Sequence, residues 1–412
     1  MKAHFNPRYL TVLFILGTGY LFAQQPELGY FRPNDKDGLN VFETSKQSDA
    51  VFDGLKVRVG GDFALQFQGI SQTNSGDSLT TLGNNFNLPT ANLNLDVQLA
   101  DGMRMHLRTY LSSRNHTEAY VKGGYLQIDK LDFIKPGLLS GLMNVATLRF
   151  GMDEINYGDV HFRRSDNARA IFNPFVGNYI MDAFTTEPFA ELTIQSSGFI
   201  GVLGATNGRL NQSVTSTDEG FVIFGKLGYD KQLNDDLRIR LTGSFYSSSD
   251  KSTRDYIYGG DRAGSRYYAV AEGSNFSGRY NPRFSYLTSF QINPFVKFQG
   301  FEFFGVYEVA NNGDDATGGG FTQLGAEALY RFGADEQWYL GGRYNSVSGE
   351  VNDNASTVEI SRVNVGAGWF LTKNVLTKIE YVNQKYDGSG FDGTLYQGGE
   401  FDGIVIEAAI SF

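Results

Sequence analysis

An all-β fold, a transmembrane antiparallel up-and-down β-barrel of about 16 strands, follows from three features of this 412-residue chain. Apolar and polar residues alternate over segments of about ten residues, and such segments recur along most of the sequence. Short and long polar connections alternate between them. Beyond the N-terminal leader no stretch is long and apolar enough for a spanning helix, so a membrane reading leaves only a closed sheet, in which every backbone group is paired.

The chain opens with Lys2 and Arg8, an apolar run from Leu10 to Phe22, and the polar Gln24, Gln25 and Pro26. This order predicts a signal peptide over residues 1–23, although Leu21 departs from the small residue usual before a cleavage site. Residues 24–54 form a polar pre-barrel periplasmic leader with Pro33, Asn34, Asp35, Gly38 and Asn40 as turn formers. The leader has three possible fates: across the periplasmic mouth, inside the lumen as a short plug, or disordered.

The barrel is expected over 55–412. In its first strand Leu55, Val57, Val59, Phe63, Leu65 and Phe67 alternate with Lys56, Arg58, Asp62, Gln66 and Gln68, giving one lipid face and one wet face. Further strands are expected near 90–99, 102–112, 117–128, 144–152, 186–196, 198–206, 219–230, 236–247, 290–299, 301–310, 321–333, 336–346, 357–371 and 374–386, with room for another pair in 248–289. The last, 403–412, sets Ile404, Ile406, Ala408, Ile410 and Phe412 against Val405, Glu407, Ala409 and Ser411. Joins such as Asp101-Gly102 and Thr372-Lys373 are short, whereas Ser71 to Pro89, Asn207 to Asp218 and Asp387 to Asp402 are long and polar. Short periplasmic turns alternating with long outer loops mark this architecture. Tyr110, Tyr229, Tyr330, Trp338, Trp369 and Tyr381 fall near strand ends, where aromatic girdles form.

Composition narrows the chemistry. The absence of cysteine excludes a disulfide framework and every cysteine-ligated metal site. A net charge of −10 makes nucleic acid a poor partner. His106, His116 and His161 show no metal-binding or triad spacing, and Asp387, Ser389 and Asp392 lack the full calcium-loop pattern. No cofactor, metal or catalytic group is expected.

The third outer connection, Asp153 to Thr185, is unlike a solvated loop. Ile155, Phe162, Ile171, Phe172, Phe175, Val176, Ile180 and Met181 need a surface to pack on, while Arg163, Arg164 and Arg169 stand among Asp153, Glu154, Asp159 and Asp166. The expected place is the lumen wall, where the charges set a field across the pore constriction; a lid over the outer mouth is the alternative. On the wall itself, Arg58, Arg104, Arg108, Arg149, Arg238, Arg240, Arg362 and Lys378 fall on wet positions, with Glu380 among the acids. The wet-face count is slightly basic, fourteen against eleven, with Glu118 and Glu359 among the acids. Such a lining favours anions unless the cations only neutralise wall carboxylates.

The signal, the strand count, terminal Phe412 and the charged third loop resemble the general and phosphate- or sugar-selective porins of Gram-negative outer membranes. The phrases YFRPNDKDGLNVFE and GDVHFRRSDNA are similar to porin-like barrels of the Bacteroidota. The resemblance implies a homotrimer in outer-membrane lipid, a third loop folded into the lumen, and Phe412 as the assembly signal read by the barrel-assembly machinery. On that analogy Arg163, Arg164 and Arg169 are constriction bases. The expected role is passive diffusion of small hydrophilic solutes with an anion preference. The alternatives are a structural or partner-binding barrel with an occluded lumen, and an outer-membrane enzyme.

Overall fold

The computed structural model describes residues 25–113, 117–163, 169–183, 186–208, 221–249, 257–259, 267–271, 276–284 and 286–412. The expected signal peptide, His116, Arg164 and Asp166 lie outside them. The barrel strands are β1 (Lys56–Thr73), β2 (Asn85–Ala100), β3 (Met103–Tyr110), β4 (Tyr120–Ile128), β5 (Ala146–Glu154), β6 (Thr186–Ser196), β7 (Phe199–Thr206) and β8 (Val222–Gln232). They continue with β9 (Leu237–Ser248), β10 (Leu287–Phe298), β11 (Phe301–Asn312), β12 (Gly320–Phe332), β13 (Trp338–Glu350), β14 (Val358–Thr372), β15 (Val375–Asp387) and β16 (Glu400–Ser411).

Each strand pairs antiparallel with its predecessor, and β1 closes the ring on β16 with Asp62 opposite Ser411 and Phe67 opposite Ile406. Closure leaves no strand edge unpaired, which is the condition for a sheet in lipid. The sixteen strands coincide one for one with the segments read from alternation. In the stretch between β9 and β10, Tyr267–Tyr268 and Phe276–Ser277 form a minimal ladder that stands outside the barrel sheet.

Which face is apolar identifies the outer solvent. Val363, Val365, Ile404 and Ile406 are exposed, while Arg362, Asn364, Glu407 and Gln384 are buried. A soluble protein does the reverse, so this outer surface is made for hydrocarbon and the buried polar groups belong to a filled lumen.

At one end of the barrel the turns are tight: Asp101-Gly102, Ser197-Gly198, Gln299-Gly300 and Lys373-Asn374. Ser197 and Gly198 both carry positive φ, the geometry of a type I′ turn that suits strand twist. Gly102 has φ 72°, and a side chain there would collide with Lys130. The long join between β4 and β5 lies at this end and contains a single helical turn, Ser140–Met143.

Three expectations need correction. Glu359 is exposed between buried Val358 and Ile360, so it faces outward and does not belong to the lumen tally. Glu118 precedes β4 and is exposed in a connection. Tyr110 shares parity with Arg104, His106 and Arg108, so it points inward, fully buried, and donates to Ser112 Oγ instead of joining a girdle. Trp338 and Trp369 do face outward, stacked at 4.4 Å across neighbouring strands.

Candidate functional site in the barrel lumen

Among its described residues the connection between β5 and β6 has almost no regular structure of its own, only the single turns Val160–Arg163 and Ala170–Phe172. Its buried amides must therefore find acceptors elsewhere, and they find them on inward-facing wall side chains. Asp159 N donates to Asn293 Oδ1 (2.9 Å), Val176 N to Glu380 Oε2 (2.7 Å), Ile180 N to Asn345 Oδ1 (2.6 Å) and Met181 N to Gln323 Oε1 (3.0 Å). Its apolar residues Ile155, Val176, Ile180 and Met181 pack in one cluster with Phe224, Tyr246, Phe321 and Val347 of the wall. Ile171, Phe172 and Phe175 pack with Leu329, Tyr339 and Phe370.

Charges on this half of the wall are cancelled in place. Asp159 accepts from Lys226 Nζ (2.7 Å), from Arg240 through Nε and Nη2 (both 2.8 Å) and from Thr242 Oγ1 (2.7 Å). Burial alone would push the Asp159 carboxyl up, but Arg240 and Lys226 outweigh it and hold the group well below the usual carboxylate range. Glu327 bridges Arg163 (2.5 Å) and Arg343 (2.7 Å), and Arg331 lies on Glu302 at 2.9 Å. Lys378 pairs with Glu407 (2.8 Å) and caps the carbonyls of Ala170, Asn173 and Phe175. Arg362 donates to the Asn178 and Gly278 carbonyls and to Gln384 Oε1 at 2.6 Å.

The opposite half differs. A cavity of about 110 Å³ lies against strands β1 to β6, lined by Arg58, Arg104, Arg108, Arg149 and Arg169 and by Arg32 of the leader, with Asp96, Asp153, Glu154, Glu191 and Glu43 interspersed. Asp96 takes Arg104 Nη1 at 3.0 Å and His106 Nδ1 at 2.9 Å, and Arg108 Nε donates to Asn94 Oδ1 at 2.8 Å. Arg149 lies 3.5 Å from Asp153 and 3.6 Å from Glu191 and stands over the Tyr125 ring at 4.2 Å. Among the described residues, Arg32 Nη1, Arg104 Nε, His106 Nε2, Arg108 Nη1 and Arg149 Nε are buried donors or ring nitrogens with no hydrogen-bond partner. Buried groups of this kind are ordinarily met by water or by an ion, and Glu191 Oε2 in the same lining also has no hydrogen-bond partner among the described residues.

The site residues expected from the sequence divide between the two halves. Asp153, Glu154, Arg169, Arg58, Arg104, Arg108 and Arg149 line the cavity. Arg163 and Asp159 do not: a desolvated guanidinium needs a carboxylate, and Arg163 has Glu327, the Asn40 amide oxygen (2.6 Å) and the Phe304 ring (4.8 Å). Arg240, Arg362, Lys378 and Glu380 are engaged by the connection, and Arg238 is paired with Asp230 at 2.7 Å beside a separate hollow at the short-turn end. Phe412 stacks on Phe63 (6.3 Å), and its carbonyl accepts from Gly61 N at 3.2 Å.

Of the three fates the sequence left open for the leader, the lumen is the one the structure shows for the residues that join this site, and the sequence had named none of them as site residues. Phe31 lies under Arg58 at 4.5 Å, Arg32 lies over the Phe172 ring at 4.0 Å, and Glu43 binds Arg240 at 2.6 and 3.0 Å. Its signal was the unusual density of aromatic and charged residues in YFRPNDKDGLNVFE, which turn chemistry alone does not require.

His161, buried beside Lys226, has its pKa driven well below the ordinary imidazole value, by burial first and by that cation second. A depressed pKa gives stability that is present above the unfolded value and lost as pH falls from about 6.5 toward the folded pKa. Unfolding measured from pH 7 to 5 is expected to show this loss, with a shallower slope in His161→Gln; an unchanged slope would count against a neutral buried His161.

No family model and no curated protein matches the sequence. Solved structures match the fold. OmpT, an outer membrane protein of Vibrio cholerae, aligns with a TM-score of 0.55 and 11% identity over 88% of this chain and 99% of its own; it has also been solved in a trimer form. The outer membrane channel DcaP of Acinetobacter baumannii gives 0.53 and 14% over 88% and 99%. An anion-selective porin from Comamonas acidovorans gives 0.54 and 11% over 87% and 100%. At these identities the likeness is one of fold: the chain is a closed sixteen-stranded barrel of the kind on which outer-membrane porins are built.

Proposed function

We propose that the protein is an outer-membrane porin, a water-filled channel for passive diffusion of small hydrophilic solutes with a preference for anions. The observation that carries this reading is the cavity against β1 to β6, where several arginines are buried and each, though paired with a carboxylate, keeps one nitrogen with no hydrogen-bond partner among the described residues. Such donors attract an anion more than its hydration shell resists, and the screening that weakens exposed charges is reduced there. The connection between β5 and β6 serves as the constriction, with its Arg169 and, at the end of β5, Asp153 and Glu154 lining the same cavity as the wall arginines. The fold likeness supports a channel; one of the three neighbours is described as anion-selective.

In this reading the mature chain starts near residue 24, assembles as a homotrimer in outer-membrane lipid, is delivered by the barrel-assembly machinery through Phe412, and performs no catalysis. The filled half of the lumen favours one rival, an occluded structural barrel. Planar-bilayer recording of refolded protein separates the two: a channel gives discrete ohmic steps, and a bilayer that stays sealed at all voltages would leave the occluded barrel.

A further inference from the structure

The middle of the leader, from Leu28 to Lys46, lies inside the barrel, with exposed residues to either side, and the way it is held differs from everything around it. Wall strands are joined by continuous ladders of backbone hydrogen bonds. The leader has no strand pairing, and its one regular element is the turn Lys36–Gly38. Among the described residues a single backbone-to-backbone hydrogen bond ties it to the barrel, Lys36 N to Lys373 O at 2.7 Å. At the short-turn end two exposed pairs hold it, Lys36 with Asp335 (2.7 Å) and Lys373 with Asp35 (2.9 Å), where Asp335 is 89% and Lys373 60% exposed. One buried pair joins them, Lys46 Nζ on Asp129 (2.8 Å), with Ala146 O and Thr147 Oγ1 also accepting from Lys46. Exposed pairs are worth little, so Lys46 is the anchor of the leader and the part ahead of it is the part held weakly at this end.

Deeper in, the leader docks on the connection between β5 and β6. Arg32 Nη2 donates to Phe162 O (2.8 Å), and Phe42 sits between the rings of Phe162 and Phe295. Gly38 lies so close to Phe172 that a side chain there would stand 2.9 Å from the ring. These contacts make a fitted surface, yet none of the wall cations they touch depends on the leader for neutralisation. Without Glu43, Arg240 keeps both oxygens of Asp159; without Asn40, Arg163 keeps Glu327. Withdrawal of residues 29–44, with Lys46 left seated on Asp129, therefore leaves these buried wall charges paired and avoids the large penalty of an unpaired buried charge.

Phe31, Arg32, Phe42 and Glu43 are also the side of the arginine-lined cavity that faces the short-turn end. We propose that the leader is a displaceable inner plug: seated, it closes this compartment toward the short-turn end, and displaced, it opens the barrel to larger flux. Arg32 is the residue that couples the two, since one guanidinium clamps the connection and presents its free Nη1 to the compartment.

The proposal rests on the channel reading, and the test keeps the two apart. The native chain has no cysteine, so the pair Lys36→Cys with Lys373→Cys is unique and sits where the two backbones touch. Single-channel conductance is recorded for the wild type, for the oxidised pair, for the same pair reduced, and for a chain lacking residues 30–44, which keeps Lys46 on Asp129. Oxidation is expected to abolish transitions to the larger conductance level, and reduction to restore them. The shortened chain should sit at a conductance about twofold or more above the seated state, as a wider bore requires. Equal conductance and equal gating in all four would overturn the plug while leaving the channel intact. Failure of the pair to cross-link would place the leader elsewhere and overturn it too. Sealed bilayers in every case, the shortened chain included, would instead remove the channel reading and the plug with it. If the shortened chain fails to refold, the oxidised and reduced pair decide the matter alone.

Discussion

Asp159→Ala is expected to destabilise the barrel by about 3–5 kcal/mol, the usual cost of removing one partner from a buried ion pair. The carboxylate is fully buried and accepts from Lys226, from the Nε–Nη2 edge of Arg240 and from Thr242, so its loss removes the counter-charge nearest to two buried cations. Glu43 remains beside both, 2.6 Å from Arg240 and 3.6 Å from Lys226, and softens but does not replace the pairing. Denaturant unfolding in lipid vesicles, followed by fluorescence of Trp338 and Trp369, gives the number. The pH dependence has a definite sign. Because the folded pKa of Asp159 is depressed, its contribution is complete above the unfolded value of about 3.9 and is lost only as pH falls through the folded pKa. The alanine variant should therefore show its full deficit at neutral pH and a flatter acid limb. An effect below about 1 kcal/mol, the level of exposed pairs, would mean this cluster is solvated.

The second large effect concerns selectivity. Arg104→Ala with Arg108→Ala removes two cations from the lining of this cavity and leaves Asp96, Asp153 and Glu191 in place. A unit charge at about 4 Å acts with about 1 kcal/mol even at the dielectric of water, or roughly a fivefold change in local ion concentration per charge. The anion-to-cation permeability ratio is expected to fall by about that factor or more, and the acids left behind should favour a change of sign. Arg104→Lys with Arg108→Lys keeps the charge and should keep most of the selectivity. Equal ratios in the alanine pair and the wild type would show that ions do not pass this wall.

The barrel was legible in the sequence because alternation with period two writes the lipid face into every strand. Leu65, Ile404 and Val363 carry it without help from distant residues, and closure follows from counting strands. The lumen was only half legible. Parity placed Arg104, Arg108 and Arg149 inward, but it says nothing about which inward cations meet a carboxylate from another element. Arg163 and Arg169 are six positions apart in one connection, yet one is locked on Glu327 and the other lines the cavity. That division is set by long-range partners, Glu327 and the leader's Asn40, which no local pattern announces. Glu359 and Tyr110 went astray for a simpler reason, since each lies at a strand end where parity has to be carried along the strand and was not.

The zero-current potential of the wild-type protein in a planar bilayer under a potassium chloride gradient tests the central claim most directly. An arginine-lined, hydrated passage predicts steady conductance and a potential of the sign set by chloride, moving toward zero as salt on both sides is raised and the wall charges are screened. A potential of the potassium sign, or no conductance at any voltage, would contradict it.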